Sequence, residues 1–150
     1  MRLRLWIAGE AAMSGGFGLL QQAVNALARY FVGGDTLAET LHRVADLTKL
    51  ALPQTDHVGI TMMVDGKPGT AIFTDAEVPE IDTAQYRTGE GPCLDAFHTG
   101  AYHIISSTLE PGRWQAFRDS ASGHGVLSTM SLPLIASSGP IGALNLYAGQ

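Results

Sequence analysis

The chain has 150 residues, of which 45% are hydrophobic and 15% charged, a balance typical of one globular domain and not of a disordered segment. The formal net charge of −5, with no basic stripe, argues against direct binding of nucleic acid. No apolar run reaches the ~20 residues that a membrane span needs, so we expect a cytoplasmic protein that does not contact a membrane.

The first predicted element is an amphipathic helix that follows a leader. We expect residues 1–15 to be a poorly ordered leader, because their apolar patch is too short for a signal peptide and Glu10 interrupts it. A helix is predicted from about Phe17 to Phe31, where apolar residues recur at helical spacing. Gly33-Gly34 is expected to end this helix. We assign residues 16–150 to one domain.

A second helix is predicted to begin sharply after Thr36. This residue stands three positions before Glu39, which is the spacing of a capping box. In that motif each of the two residues uses its side chain to bond the backbone N–H of the other. The predicted buried face of this helix consists of Leu37, Leu41, Val44, Leu47 and Ala51.

Two β-hairpins account for most of the remaining hydrophobic residues. The strands of the first are predicted at residues 57–64 and 68–74, and Asp65-Gly66 between them is a strong signal for a tight turn. The second hairpin closes the chain, with strands predicted at residues 126–135 and 140–148. Hairpin strands are antiparallel, so we expect the sheet to be antiparallel.

An irregular crossover joins the two hairpins. Between them we predict a short strand at residues 102–105 and three short helices, at residues 81–86, 92–97 and 114–121. We interpret one acidic run as a solvated loop face: Asp75, Glu77, Glu80 and Asp82. Together the elements predict an α+β fold. It has a central antiparallel sheet of about five strands, two N-terminal helices on one face, and the crossover helices and loops on the other.

The predicted sheet has two unlike faces, because side chains alternate along a strand. One face is uniformly apolar and should pack against the N-terminal helices; in the first strand it carries Val58, Ile60, Met62 and Val64. The other face, which we call the mixed face, carries small, polar and aromatic groups and should lie under the crossover. Such a mixture suits a small-molecule pocket. The alternative is that its polar groups only pair with the backbone of the loops.

The segment from Gln85 to Ala96, QYRTGEGPCLDA, closely resembles a stretch of the GAF domains of actinobacterial regulators. Residues 128–134 and 142–147 resemble the fourth and fifth core strands of the same family. The resemblance covers about residues 16–148 and implies a GAF/PAS-like fold. In those regulators the GAF domain usually precedes an ANTAR domain, which binds RNA and acts in transcription antitermination. The resemblance therefore implies the input module of a transcription regulator.

The sequence departs from this family pattern at its C-terminal end. No ANTAR segment follows Gln150, and the C-terminal helix that usually completes a GAF domain is also missing. We therefore expect either a fragment of a longer protein or a stand-alone remnant. Without that helix, part of the apolar face would be exposed, and exposed apolar surface favours association. We predict a homodimer that forms through the N-terminal helices.

Cys93 is the single cysteine, which excludes an internal disulfide. It is predicted near a helix N-terminus, where the pKa of a thiol falls and its reactivity rises. The plainer alternative is a small buried core residue. A cysteine at a similar position serves the GAF proteins that reduce free methionine sulfoxide, but that chemistry needs a second thiol. Leu94, which follows Cys93, argues against attachment of a bilin.

The other candidate site residues lie on the mixed face or in the crossover. The histidines lack the spacing of a metal site, so we expect no metal, and the sequence identifies no cofactor. Gly89 and Gly91 fit a turn better than a phosphate loop. For the crossover aromatics, filling the core is the alternative to capping a ligand. The candidate ligand-binding residues are His57, Thr61, Met63, Tyr86, Cys93, Trp114, Phe117, Thr129, Ser131, Asn145 and Tyr147.

Three functions remain open at this point. The first is a regulatory sensory domain, which binds a small molecule or senses a redox event at Cys93 and relays it through helix packing. The second is a redox enzyme of the free methionine sulfoxide reductase type. The third is a ligand-free dimerisation module, which a well-filled mixed face would favour. We expect the first function and no enzymatic activity, because one thiol cannot complete the reductase chemistry.

Overall fold

The computed structural model describes Gln21 and residues 36–149. The predicted leader, residues 1–15, and most of the predicted first helix lie outside the described residues. Within the described part, the helices are α1 (Leu37–Ala51), α2 (Glu77–Thr88), α3 (Pro92–Thr99) and α4 (Gln115–Gly123). The strands are β1 (His57–Val64), β2 (Lys67–Phe73), β3 (His103–Ile105), β4 (Ser128–Ala136) and β5 (Gly139–Ala148).

The five strands form one antiparallel sheet in the order β2-β1-β5-β4-β3. Both hairpins pair as the sequence predicts, β1 with β2 and β4 with β5. Strand β1 also pairs with β5, with Ile60 opposite Leu144, so the two hairpins join at the centre of the sheet. The predicted α+β fold with a five-stranded antiparallel sheet is confirmed.

The capping box predicted at the start of α1 is confirmed. The Glu39 backbone N–H donates to Thr36 Oγ1 at 3.3 Å, and the Thr36 backbone N–H donates to a Glu39 carboxylate oxygen at 2.7 Å. Each side chain thus satisfies a donor that the helix itself leaves unpaired. The sequence therefore determined where this helix begins.

The predicted buried face of α1 is only partly right. The helix buries Leu41, Val44, Ala45 and Thr48. By contrast Leu37, Leu47 and Ala51 are exposed, and Leu47 keeps 51% of its surface accessible. Residues 41, 44, 45 and 48 follow the spacing of a narrow helical stripe, which is all that a helix lying on a sheet needs to bury. Thr48 enters this stripe because its hydroxyl donates to the Val44 carbonyl at 2.6 Å.

The apolar face of the sheet packs against α1, as the strand alternation predicts. Val64 is the exception: it shares this face by alternation but is 64% exposed, because it lies at the β1–β2 turn beyond the packed cluster. The main core cluster contains Leu41, Val44 and Ala45 of α1 together with Val58, Ile60, Ile72, Met130, Leu132, Leu134, Leu144, Leu146 and Ala148 of the sheet.

The crossover covers the mixed face. Its helices form two clusters on the sheet, one around Phe117 and Tyr147 and one around Cys93 and Ala143. The predicted helices are real but their bounds are wrong: α2 begins four residues earlier than predicted, and α4 begins after Trp114. Gly89 ends α2 with a φ of 71°, so the turn interpretation of this glycine is confirmed.

Gly142 lies on β5 opposite Met62 of β1, with no room for a side chain. A methyl group added to it would lie 2.1 Å from the backbone carbonyl oxygen of Thr61, which cannot rotate away. We therefore expect Gly142→Ala to lower the free energy of unfolding by about 2 kcal/mol in a urea titration. Gly69→Ala on β2 is the matched control, because a methyl group there meets nothing within 4 Å. Equal losses in the two variants would contradict this explanation.

Gln21, the described residue of the predicted first helix, contacts the sheet. The side-chain amide of Gln21 donates to the carbonyl oxygen of Pro133 in β4 at 2.9 Å. The homodimer expected through the N-terminal helices stays a prediction. None of the helices in the described residues is long and apolar enough to cross a membrane.

Candidate functional site

A continuous set of hydrogen-bonded side chains lies between the mixed face and the crossover. It connects strands β1, β2, β4 and β5 with helix α2. Polar side chains that leave water must find partners, because an unpaired buried polar group is costly. We call this set the buried network, and it consists of Thr61, Thr70, Asp82, Gln85, Tyr86, Ser131, Asn145 and Tyr147.

Asn145 links three strands on the sheet side of the buried network. Its Nδ2 donates to Thr61 Oγ1 at 3.0 Å, and its Oδ1 accepts a hydrogen bond from Ser131 Oγ at 2.9 Å. All three side chains are buried. Both ends of the Asn145 amide are therefore satisfied inside the protein. The structure brings these three predicted site residues together.

Tyr86 closes the buried network toward solvent. Its hydroxyl lies 2.7 Å from Thr61 Oγ1 and 2.8 Å from Thr70 Oγ1. The Tyr86 side chain is only partly buried, whereas Thr61 is enclosed. One hydroxyl on α2 thus holds together two neighbouring strands at the rim of the site.

Asp82 is the centre of the buried network. Its carboxylate accepts hydrogen bonds from the hydroxyl of Tyr147, from Thr70 Oγ1 at 2.7 Å and from Gln85 Nε2 at 3.2 Å. A longer contact of 3.5 Å joins it to the hydroxyl of Tyr86. The residue is 0% exposed, so its interpretation as part of a solvated loop face is wrong.

The predicted helix starts at Ile81, four residues too late, and this late start hides the helical position of Asp82. With the helix beginning at Glu77, Asp82 lies one turn after Val78 and one turn before Gln85, and these three residues share the buried face of α2. Extending the helical period back to Val78 would have placed Asp82 on this face. Its acidic neighbours Glu77 and Glu80 do remain exposed.

Burial dominates the electrostatics of the Asp82 carboxyl. It raises the pKa of that carboxyl from the usual 3.8 to about 6, against the opposing effect of the hydrogen bonds from Tyr147, Thr70, Gln85 and Tyr86. Burial also raises the pKa values of the Tyr86 and Tyr147 hydroxyls, with the Asp82 charge adding to the shift. These two hydroxyls therefore remain neutral donors near neutral pH.

A β-bulge in β2 orients the Thr70 side chain toward Asp82. Strand β1 pairs Ile60 with Ile72 but the next residue, Thr61, with Thr70, so Ala71 is left over. In a regular strand Thr70 and Ile72 would share one face of the sheet. Because of the bulge, Ile72 points into the apolar core while the Thr70 hydroxyl reaches Asp82 on the mixed face. Alternation in the sequence could not predict this.

Cys93 is enclosed beside the buried network. Its Sγ lies 3.7 Å from Thr61 Oγ1, and its backbone N–H donates to Gln85 Oε1 at 3.2 Å. Burial raises the pKa of the Cys93 thiol, and the nearby charge of Asp82 adds to this. Although Cys93 lies in the first turn of α3, the lowered thiol pKa expected there is wrong, because desolvation outweighs the helix N-terminus.

Trp114 belongs to a different group of side chains. Its Nε1 donates to Asp95 Oδ2 at 3.2 Å, and Arg113 contacts the same carboxylate oxygen while its guanidinium lies 4.6 Å from the indole centre. The rings of His103 and Trp114 are nearly perpendicular, with their centroids 5.4 Å apart. These contacts hold Trp114 at a φ of 59°, which is strained for a residue with a side chain. Trp114 therefore organises the loop before α4 and packs against the cluster around Phe117 and Tyr147, while its hydrogen bond goes to Asp95 and not to the buried network.

The remaining predicted site residues lie around the buried network. Phe117 is fully buried and packs on the Tyr147 ring at a centroid distance of 6.4 Å. His57 Nδ1 lies 3.6 Å from Asp75 Oδ2. Thr129 is buried, and its hydroxyl has no hydrogen-bond partner among the described residues. Met63 is partly buried, two positions beyond Thr61 on β1.

The mixed face is largely filled by the protein's own side chains. A shallow depression lined by Thr55, Ser128 and Tyr147, among others, has an empty volume of about 160 Å³ including its open mouth. Small-molecule sites usually enclose roughly 300 Å³ or more, so this depression is too small for one. Among the residues that the structure describes, no three histidine, cysteine, aspartate or glutamate side chains converge as metal ligands.

Known proteins share this architecture. The family profile described as GAF domain matches residues 34–150. The nlh2 GAF domain of A. aeolicus in an inactive state aligns with a TM-score of 0.60 at 14% identity, over 87% of this chain and 78% of that chain. A second similar structure is a domain of a protein described as a two-component sensor histidine kinase from Sinorhizobium meliloti 1021. It aligns with a TM-score of 0.59 at 14% identity, over 77% of this chain and 74% of that chain.

Similar structures also include an enzyme. The type II free methionine-R-sulfoxide reductase of Thermoplasma acidophilum aligns with a TM-score of 0.57 at 15% identity, over 86% of this chain and 77% of that chain. At such low identity these likenesses concern the fold alone. No curated protein is similar enough to match.

Proposed function

Because the chain belongs to the GAF domain family, we propose that it is a regulatory sensory domain whose small-molecule input binds at the buried network. The observation that carries this proposal is the position of Asp82, a fully buried carboxylate among seven other polar side chains. A core needs no such group, and burying it is costly. Strongly perturbed titratable groups concentrate at functional sites.

The buried network also offers a route for the signal. Through Asp82 and Tyr86, helix α2 is bonded to strands β1, β2 and β5, and α4 packs on α2. A ligand that replaces one of these bonds favours a different position of α2. It shifts the equilibrium between two packings only as far as its affinities for them differ. The crossover helices are thus the element that relays the input.

The properties of Cys93 favour a sensor over a reductase. Reduction of a sulfoxide begins with attack by a thiolate and ends when a second thiol resolves the oxidised cysteine. Here the single thiol is buried and its pKa is raised, so the thiolate is scarce at neutral pH. The same reasoning weighs against a redox event at Cys93 as the input signal.

We expect Cys93 to react with Ellman's reagent on the order of 100-fold more slowly in the native protein than in urea, because the folded protein both shields the thiol and disfavours its thiolate. The rate is measured by absorbance at neutral pH. Native protein of the Cys93→Ser variant supplies the blank. If Cys93 in the folded protein reacts about as fast as in the unfolded chain, and the protein also turns over methionine sulfoxide, the result would support the reductase alternative.

A ligand-free dimerisation module is the second candidate, and two observations favour it. The mixed face is filled by side chains, and Leu47 and Leu50 of α1 are 51% and 78% exposed. Exposed leucines on one helix suit a helix–helix contact between two copies. Sedimentation of the wild type and of a Leu47→Gln/Leu50→Gln variant tests this. Dissociation of a wild-type dimer by the two changes would support it, and a monomeric wild type at high concentration would refute it.

The resemblance of residues 85–96 to GAF domains that precede ANTAR domains supports a proposal for the process that this domain regulates. On that basis we propose that the domain serves as the input module of a transcription regulator. The nucleic-acid contact would then belong to another module, in agreement with the net charge of −5. Purified protein that binds RNA directly in a salt-dependent manner would contradict this division of roles.

Native mass spectrometry of the purified chain tests the sensory function. We expect a co-purifying small molecule whose mass is lost in Thr61→Val, since this change removes a hydroxyl that joins Asn145 to Tyr86. Thr40→Val is the matched control and should retain the molecule, because Thr40 lies on α1, outside the buried network, and its hydroxyl donates to the Thr36 carbonyl. A bare mass in the wild type would count against ligand sensing and favour the dimerisation module.

A further inference from the structure

We propose that the molecule recognised at the buried network carries a positive charge, an ammonium or amidinium group that pairs with the Asp82 carboxylate. This inference rests on the proposed sensory function and names the class of its ligand. It also excludes phosphates, nucleotides and carboxylates as the group that contacts Asp82, because each would bring a second negative charge next to the buried carboxylate.

No counter-charge for Asp82 is found among the residues that the structure describes. The groups that donate to it are all neutral: two tyrosine hydroxyls, the Thr70 hydroxyl and the Gln85 amide. The ion pairs found among the described residues involve other carboxylates, those of Asp75, Glu80 and Asp95. A buried carboxylate with hydrogen bonds but no cation leaves a large part of its desolvation penalty uncompensated.

The other titratable members and neighbours of the buried network in residues 36–149 are neutral. From α2 and β5 the ionisable neighbours are Tyr86 and Tyr147, and from α3 it is Cys93. Burial raises the pKa of all three, so they stay neutral over the pH range in which Asp82 ionises. Within the buried network the ionised group is therefore Asp82, whereas the Asp95 charge, which acts on Cys93 beside the network, is paired with Arg113.

A ligand can approach Asp82 from the rim of the site. Asp82 is separated from solvent by the hydroxyls of Tyr86 and Thr70, whose side chains are both only partly buried. The contact of Tyr86 with Asp82 is the longest of the four, at 3.5 Å. Thr70 stands on an edge strand, where the β-bulge at Ala71 turns it inward. Bulges of this kind often aim a side chain at a functional site.

These features define what the cation would do. An N–H group of the ligand takes the place of the Tyr86 hydroxyl at Asp82 Oδ2, and the Tyr86 side chain moves outward. That movement also breaks the bonds of Tyr86 to Thr61 and Thr70, which join α2 to β1 and β2. Binding at one carboxylate oxygen is thereby converted into a loosening of α2 from the sheet.

The test compares acetamidinium chloride with acetamide, two probes of equal size and different charge, at constant ionic strength. Binding to the wild-type chain is followed by the backbone amide NMR shifts of residues 70, 82, 86 and 147. At pH 8 we expect acetamidinium to bind at least about tenfold more tightly than acetamide. Lowering the pH to 4.5, where Asp82 is protonated, should abolish the preference.

Two variants complete the experiment. Asp82→Asn should lose the preference for acetamidinium, and Asp46→Asn, which removes an exposed carboxylate of α1, should keep it. If Asp82→Asn does not fold, the pH comparison on the wild type still decides. Equal binding of both probes, or a preference that survives at pH 4.5, would overturn the proposal. A neutral or anionic molecule that co-purifies with the wild type but not with Thr61→Val would also overturn it, while the sensory function would stand.

Discussion

Phe117→Ala is expected to lower the free energy of unfolding by about 4 kcal/mol, which is typical when a fully buried aromatic side chain is removed. Phe117 has 0% exposure and sits in the cluster that attaches α4 to the sheet. Its ring also packs on Tyr147, whose hydroxyl donates to Asp82. The variant should therefore weaken the buried network as well as the core. Urea unfolding followed by circular dichroism measures the loss.

Phe73→Ala provides the matched control for this prediction. It makes the same chemical change on edge strand β2, where Phe73 is 44% exposed, so we expect a loss below about 1 kcal/mol. The comparison also separates the two roles that the sequence left open for Phe117. A small loss of stability in Phe117→Ala, with a clear loss of ligand binding, would assign it to a pocket and not to the core.

The stability of the wild type is expected to carry a contribution from Asp82 that weakens as the pH rises. The folded-state pKa of Asp82, about 6, lies above its usual value of 3.8, so the folded protein holds this proton more tightly than the unfolded chain. The contribution is complete below pH 3.8 and is lost as the pH rises through about 6. The difference between these two pKa values corresponds to about 3 kcal/mol in the free energy of unfolding.

The Asp82→Asn variant isolates this contribution. Other groups also titrate, among them His124, whose pKa is raised above its usual value by its bond to the Ser120 carbonyl, but they are common to both proteins. The difference between the wild-type and Asp82→Asn unfolding free energies should therefore change with pH through 3.8 to about 6. Asp46→Asn should run parallel to the wild type. A pH-independent difference for Asp82→Asn would show that this carboxyl has an ordinary pKa.

The proposals share a physical origin in the unlike faces of the sheet. The apolar face is bound to α1 by a core with no charged group, and such a core contributes stability but no recognition. The mixed face keeps a carboxylate, two tyrosines and an asparagine away from water. Groups of this kind are retained at a cost in stability, and in GAF domains that act as sensors we expect them to serve recognition.

Signals that depend on neighbours along the chain were sufficient to predict the elements of residues 36–149 and their order, although not every boundary. Thr36 and Glu39 interact within one helical turn, so the capping box predicted the start of α1. Asp65-Gly66 determines the β1–β2 turn through its own backbone preferences. Strand alternation then predicted which residues enter the apolar core, and a segment resembling known GAF domains predicted the family.

Only the tertiary structure showed which residues form the buried network. Asp82 became its centre because α2 turns that residue toward the sheet, and Thr70 joined it because a bulge reverses the alternation of β2. The raised pKa of the Cys93 thiol also depends on the tertiary structure, since the desolvation caused by surrounding elements outweighs the local effect of a helix N-terminus. Local sequence determines backbone preferences, which act over a few residues. Burial and hydrogen bonding depend on segments that are distant along the chain, and they exist only once the sheet and crossover have packed.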